Sequence, residues 1–162
     1  MREFEYEKID LGYNDLVADT QPTGRTYITP DGSRFPSITT VLNILSEEYI
    51  TAWRSRVGEE EANKVSHRAS TRGTLVHTIL EKYLLNEDTT KFLPHIKQSL
   101  ENIRPILDEN ITKIYGLEVP LYSRHLGVAG RCDCISVFDG VPSIVDFKTS
   151  RRVKTADKIS NY

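Results

Sequence analysis

The pair Asp139-Gly140 constrains this chain more than any other two residues. It stands between two alternating apolar runs, Cys132 to Phe138 and Val141 to Phe147, and Asp-Gly is the strongest short-range signal for a two-residue type I′ hairpin. Such a turn pairs Phe138 with Val141, Ile135 with Ile144 and, counting outward, Asp133 with Asp146. Two carboxylates directly opposite one another have Cβ atoms about 4.5–5.5 Å apart and destabilise a sheet unless something neutralises them, as a hard cation with oxygen ligands does. Ile135 and Ile144 share the acid face and are expected to cover part of it. Cys132 and Cys134, with Phe147 and Val145 across from them, face the other way and read as small core residues. A plainer reading uses the same register. Arg131 faces Lys148, and the diagonals from Asp133 to Lys148 and from Arg131 to Asp146 make a cross-strand salt-bridge ladder.

Composition narrows the class without naming a function. The chain has 162 residues, 38% hydrophobic and 27% charged, which suits one soluble domain with a sizeable core. A net charge of −2 gives no global attraction to nucleic acid, so phosphate binding would rest on local patches: Arg54/Arg56, Arg68/Arg72 and Arg151/Arg152/Lys154. Each patch also reads as an ordinary solvated face. Two cysteines cannot supply a four-thiolate zinc or iron–sulfur site, and a reducing compartment fits them. The amino terminus, Met1-Arg2-Glu3-Phe4-Glu5-Tyr6-Glu7, is acidic and has neither the apolar core of a secretory signal nor the arginines of a transit peptide, so a cytoplasmic location is expected.

Periodicity places helices first and strands later. Residues 1–36, punctuated by Pro22, Gly24, Pro30, Asp31-Gly32 and Pro36, read as an irregular lead-in with a small hairpin near Tyr27-Ile28 and Asp31-Gly32. Residues 37–113 read as mainly helical. Ser37 is the expected N-cap of an apolar run through Ile38, Val41, Leu42 and Leu45. A second piece through Ala52, Trp53, Arg56 and Val57 breaks near Gly58, with Trp53 expected as a core anchor, and a polar helix follows through Ala62, Val65 and Ala69. From about Thr74 to Leu85, Val76, Ile79, Leu80, Tyr83 and Leu84 form a clean amphipathic stripe. Gly73 and His77 stack on the flank of that helix, and glycine leaves space beside the imidazole. Phe92, Ile96, Leu100, Ile103 and Leu107 mark a last helix, kinked or divided at Pro105. Residues 114–150 carry the strands. Glu118 is an acid in an otherwise apolar one, and Pro120 argues that this strand lies at an edge.

Taken together, Arg72-Gly73-Thr74-Leu75-Val76-His77, Glu118, Gly130-Arg131-Cys132-Asp133 and Val145-Asp146-Phe147-Lys148-Thr149-Ser150 resemble the PD-(D/E)XK nuclease superfamily. The likeness is to its RecB-like exonuclease branch, which includes the mitochondrial genome maintenance exonuclease and phage exonucleases. Phe35-Pro36-Ser37-Ile38-Thr39-Thr40-Val41-Leu42 is similar to the Pro-Ser-Val-Thr opening of that group. The likeness spans about residues 35–150, and four motifs in order are more specific than any one.

The resemblance implies an α/β fold with a restriction-endonuclease-like core, helices packed on a small central sheet that contains an antiparallel three-strand meander. It implies that His77, Asp133, Asp146 and the Phe147 backbone carbonyl hold one or two Mg²⁺ or Mn²⁺ ions. Lys148 would orient or deprotonate the attacking water, helped by Glu118, and a neighbouring cation and Arg131 would favour its neutral form. Ser37, Arg72, Gly73, Arg131, Thr149, Ser150, Arg151, Arg152 and Lys154 would line the path of the nucleic acid. The implied activity is a metal-dependent DNA exonuclease acting on single-stranded ends in replication, repair or recombination, alongside proteins of those processes, in a bacterial or phage-infected cytoplasm. The alternatives are a DNA-binding module without turnover and a structure-specific endonuclease. The family plan continues into a helix carrying Gln-x-x-x-Tyr and a closing strand. No glutamine follows Gln98 here, so residues 1–162 are expected to form a single domain truncated in its basic tail, 151–162.

Overall fold

The computed structural model describes residues 2–150. It is an α/β arrangement of two sheets and four α-helices. In chain order these are β1 (Glu5–Tyr6), β2 (Val17–Gln21), β3 (Gly24–Ile28), β4 (Arg34–Pro36), α1 (Ile38–Asn43), α2 (Glu47–Val57), α3 (Glu59–Leu84), α4 (Pro94–Asn110), β5 (Ile111–Ser123), β6 (Val128–Phe138) and β7 (Val141–Val145). A 3₁₀ turn, Ile44–Ser46, joins α1 to α2. The main sheet has the order β1-β5-β6-β7, with β1 parallel to β5 and the other pairs antiparallel. The expected meander is therefore β5-β6-β7, and the short β1 makes the sheet mixed.

The Asp139-Gly140 turn forms as its chemistry requires, with both residues at positive φ, 49° and 75°. It sets Phe138 against Val141 and Ile135 against Ile144, but the ladder stops at Cys134 and Val145. The expected Asp133–Asp146 pair lies one step beyond. There the Asp133 carboxylate accepts the Phe147 N–H at 2.7 Å, so a side chain takes the place of the next strand contact. Phe147 turns into the core, while Asp146 and Lys148 point outward. Ile144 is 71% exposed, so the expected cover over that end of the acid face does not form.

The lead-in is more ordered than its prolines and glycines suggest. β2, β3 and β4 form a separate antiparallel sheet, and the expected hairpin is its β3–β4 half. Thr29 and Asp31 tie the connecting loop to Ser33. Leu16, Tyr27 and Ala129 form a small second core with Tyr13, Phe35 and Tyr122 packed on it, and a bridge from Ser37 to Ala129 joins the two sheets.

Helix α3 is one continuous rod of 26 residues, where sequence punctuation suggested two pieces. Gly58, at φ 87°, ends α2 and starts α3. Within α3, Gly73 is tolerated at roughly 1 kcal/mol relative to Ala, and a Cβ built there would lie 3.7 Å from Thr149 Oγ1. Val76, Ile79, Leu80, Tyr83 and Leu84 pack with Ile96, Leu100 and Leu107 of α4, Ile111 and Ile114 of β5, and Cys134. Helix α4 runs unbroken through Pro105.

Ser37 caps α1 by accepting the Thr40 N–H at 3.0 Å. The apolar run that follows stays outside the core: Leu42, Ile44, Leu45 and Tyr49 are exposed, and Trp53 is half-buried outside both core clusters rather than an anchor. No helix among the described residues is long and apolar enough to cross a membrane. Ile79→Ala, at a fully buried position, should lower unfolding free energy by about 2–5 kcal/mol. Leu45→Ala, 84% exposed, should change it by less than about 0.5 kcal/mol; urea titration of both variants checks the contrast.

Candidate metal centre and nucleic-acid cleft

The α3 stripe fixes where His77 can be. With Val76 and Leu80 held against the sheet, the residue between them on the flank faces the β5–β6 strands. β6 brings Asp133, between Cys132 and the fully buried Cys134. β5 brings Glu118 to the position across from Asp133, between the Leu117–Cys134 and Val119–Cys132 pairs. Glu118 adopts φ 49°, a left-handed conformation rare for a glutamate within a strand. One ligand atom from each of His77, Glu118 and Asp133 lies within 4.8 Å of the other two.

The electrostatics of this trio are mutually dependent. His77 Nδ1 lies 3.5 Å from Asp133 Oδ1, and the hydrogen bond and charge of Asp133 raise the imidazole pKa, opposed in part by burial. Burial alone would raise Asp133, but His77, the Phe147 N–H and the charge of Lys148 together hold it below the usual carboxylate range. Glu118 is pushed up by burial and by the negative charge of Asp133. Two carboxylates this close favour a positive partner, and an imidazole with two carboxylate oxygens is a donor set that can hold a divalent metal. The cysteines stay out of it: burial raises both thiols, Cys134 to about 11.

Six of the residues singled out from sequence, Ser37, Gly73, His77, Glu118, Arg131 and Asp133, line one open cleft of about 680 Å³. Arg131 is tied into its wall, donating to the Glu118 carbonyl at 2.8 Å and to Asp15 Oδ1 at 2.5 Å. Arg72, Phe147, Lys148, Thr149 and Ser150 line a smaller cleft of about 210 Å³ together with other α3 and α4 residues. Asp146 is not in the trio. Its carboxylate pairs with Lys148 Nζ at 2.6 Å, and both side chains are about half exposed. Lys148 therefore faces Asp146, where the sequence register had set it beside Arg131. Arg151, Arg152 and Lys154 lie outside the described residues.

Sequence reasoning missed Glu81 and Arg25, which also line the larger cleft, as does Thr39 of the Pro36-Ser37-Ile38-Thr39 opening. Glu81 was accessible to it, since it lies one helical turn beyond His77 on the same face. Arg25 was not, because its strand was read as part of an irregular lead-in. Among known proteins, no family model and no curated protein matches this chain.

Because Asp133 is the main cause of the His77 shift, His77 should titrate above the ordinary value of about 6.5, and Asp133→Asn should bring it down. Stability from the His77–Asp133 contact is then present below the unfolded histidine pKa and lost as pH rises through the raised folded value. A divalent metal held by the trio would run the other way, since it needs a neutral imidazole: affinity for added Mn²⁺ would rise as pH rises through the same value. Histidine NMR titration, with and without Mn²⁺-induced line broadening, measures both.

Proposed function

We propose that this protein is a divalent-metal-dependent deoxyribonuclease that hydrolyses phosphodiester bonds at single-stranded DNA ends. We further propose that its α/β fold is a restriction-endonuclease-like core of the PD-(D/E)XK type. The observation that carries the reading is the meeting of His77, Glu118 and Asp133 within 4.8 Å on the wall of a cleft that also offers Arg25 and Arg131. Carboxylate oxygens suit Mg²⁺ and Mn²⁺, and the imidazole tilts the preference toward Mn²⁺.

A divalent ion held there supplies charge neutralisation for phosphate oxygens and acidity to water, together worth several kcal/mol of barrier. On this reading His77, Asp133 and Glu118 hold the ion, and the Phe147 carbonyl is a further oxygen close by. The His77–Asp133 contact keeps the imidazole oriented and the Asp133 carboxylate ionised. Lys148 orients the attacking water or, as the neutral amine, takes its proton. To do so it leaves Asp146, and an exposed ion pair of this kind holds it by only about 0–1 kcal/mol. Asp146, released, adds a carboxylate at the edge of the site. The strand runs past Ser37, Gly73 and Arg131 in the larger cleft to Arg72, Thr149 and Ser150 beyond α3. Its phosphate contacts make binding salt-dependent.

A binding module without turnover is favoured by one observation, the Asp146–Lys148 pair standing apart from the trio. End-labelled single-stranded DNA separates the readings. The parent should release label with Mg²⁺ or Mn²⁺ and not with EDTA, and Asp133→Asn should abolish release. Lys148→Ala should lower the rate by about 10²–10⁴-fold while retaining Mn²⁺ binding. A fully active Lys148→Ala variant removes that residue from the mechanism, EDTA-resistant cleavage removes the metal, and binding without cleavage leaves the module. A covalently closed circular strand, cut only by an endonuclease, decides between end-directed and internal attack.

A further inference from the structure

A second large cleft, of about 580 Å³, lies against the first. Glu81, Glu118 and Arg131 line both, so the two clefts adjoin and share a wall at Glu118. The rest of its wall comes from β1 and the segment after it, from β5 and from Leu85 at the end of α3, and includes Tyr6, Lys8, Tyr13, Asn14 and Tyr115.

Its chemistry suits a flat, uncharged, aromatic ligand. The Tyr6 hydroxyl donates to the Leu84 carbonyl at 2.7 Å and the Tyr13 hydroxyl to the Pro120 carbonyl at 2.9 Å. Both rings are thereby fixed in place with their protons committed to the protein. Tyr115 sits at a bulge: Ile114 pairs with Ser136 and Gly116 with Ile135, leaving Tyr115 as the extra residue of β5. Bulges re-aim side chains and are frequent beside active sites. The carboxylates of Asp10 and Asp15 are turned onto backbone N–H groups of Gly12 and Leu16. Asp15 is also paired with Arg131, and Asp10, Glu81 and Glu118 line the cleft alongside one further cation, Lys8, a balance that disfavours phosphate and tolerates an uncharged ring. Among the described residues, neither the Asn14 amide nor the Tyr115 hydroxyl has a hydrogen-bond partner, and an amide offers the donor and acceptor that a base edge needs.

We propose that this cleft receives an unpaired nucleobase, that of the nucleotide adjoining the phosphate at the His77–Glu118–Asp133 cluster, with Tyr115 as its stacking wall. The inference rests on the nuclease reading and deepens it. Bases stack on aromatic side chains without regard to sequence, so the pocket selects for strandedness and not for a particular base. A paired base is held in its duplex and cannot enter without unpairing. The preference for single strands then arises within the cleft itself.

The test uses the full chain and a set of end-labelled oligothymidylates, each with an abasic residue at one position. It is read by cleavage with Mn²⁺ and by equilibrium binding in EDTA, so a chain that binds without cutting still reports. One abasic position, fixed relative to the bond at the cluster, should weaken binding or kcat/KM by about 5- to 150-fold, the range expected for one base stack. Tyr115→Leu should lower the intact strand by a similar factor and lose no more with the abasic strand. Tyr115→Phe, which keeps the ring, should retain the position-specific abasic penalty that Tyr115→Leu loses. Asn14→Ala, in an exposed segment, should reduce the abasic penalty if Tyr115→Leu fails to fold. Binding or cleavage with no position-specific penalty, or a penalty that persists undiminished in the folded variants, overturns the base pocket and leaves the nuclease reading standing. Neither binding nor metal-dependent cleavage by the folded parent overturns both.

Discussion

Burial of the α3 stripe is the constraint from which the site follows. Val76, Ile79, Leu80, Tyr83 and Leu84 are all buried, and they meet Ile111, Ile114 and Cys134 of the sheet in one cluster. Each such side chain contributes roughly 1.5–3 kcal/mol on leaving water, so the rotation of α3 about its axis has little freedom. His77 is carried to the β5–β6 strands by that rotation. The same rotation puts Gly73 where the chain after Phe147 crosses the helix, close to Thr149. A helix turned by one residue would bury His77 and take the imidazole away from Asp133.

Asp133 is the second fixed point, and it links the sheet to the site. One of its oxygens faces His77 and the other holds the Phe147 N–H at 2.7 Å. The carboxylate thus ends the β6–β7 ladder, seats Phe147 in the core and orients the imidazole. Glu118 opposes this arrangement, since its own charge is disfavoured by burial and by Asp133. A fold selected only for stability would place an apolar residue there, and proteins tolerate such local conflicts mainly where function needs them.

The stripe, the Asp139-Gly140 turn, the meander and the Ser37 cap were legible because each depends on short-range chemistry or on periodicity. The end of the β7 ladder was not: counting outward from the turn assumes that the backbone keeps pairing, and a side-chain acceptor intervened at Asp133. Of the β2–β4 sheet only the β3–β4 hairpin was legible; the prolines and glycines at its turns and ends predict an irregular lead-in and hide the pairing of β2. Ile38, Val41, Leu42 and Leu45 carried helical periodicity, as expected, but periodicity reports a face and not what covers it. The trio was half legible. All three residues belong to the motifs that carry the family resemblance, Glu118 as a helper acid; its approach to within 4.8 Å of the other two involves a left-handed residue and follows bulges in β5 that hydrophobic alternation does not reveal.

The conflict at Glu118 also bears on how the fold would respond to a cation. Without one, the simplest relief for Glu118 is a proton, and its raised pKa moves that relief toward neutral pH. A divalent ion would provide the same relief without neutralising the ligand set, so proton and metal compete for one place. Any ion that binds the folded chain and not the unfolded one also stabilises it by mass action. Stability would then depend on metal, because the carboxylates that would hold it lie on adjacent strands of the main sheet and His77 on the helix packed against that sheet. The charge repulsion between Glu118 and Asp133 would, in this arrangement, be a source of affinity for such an ion.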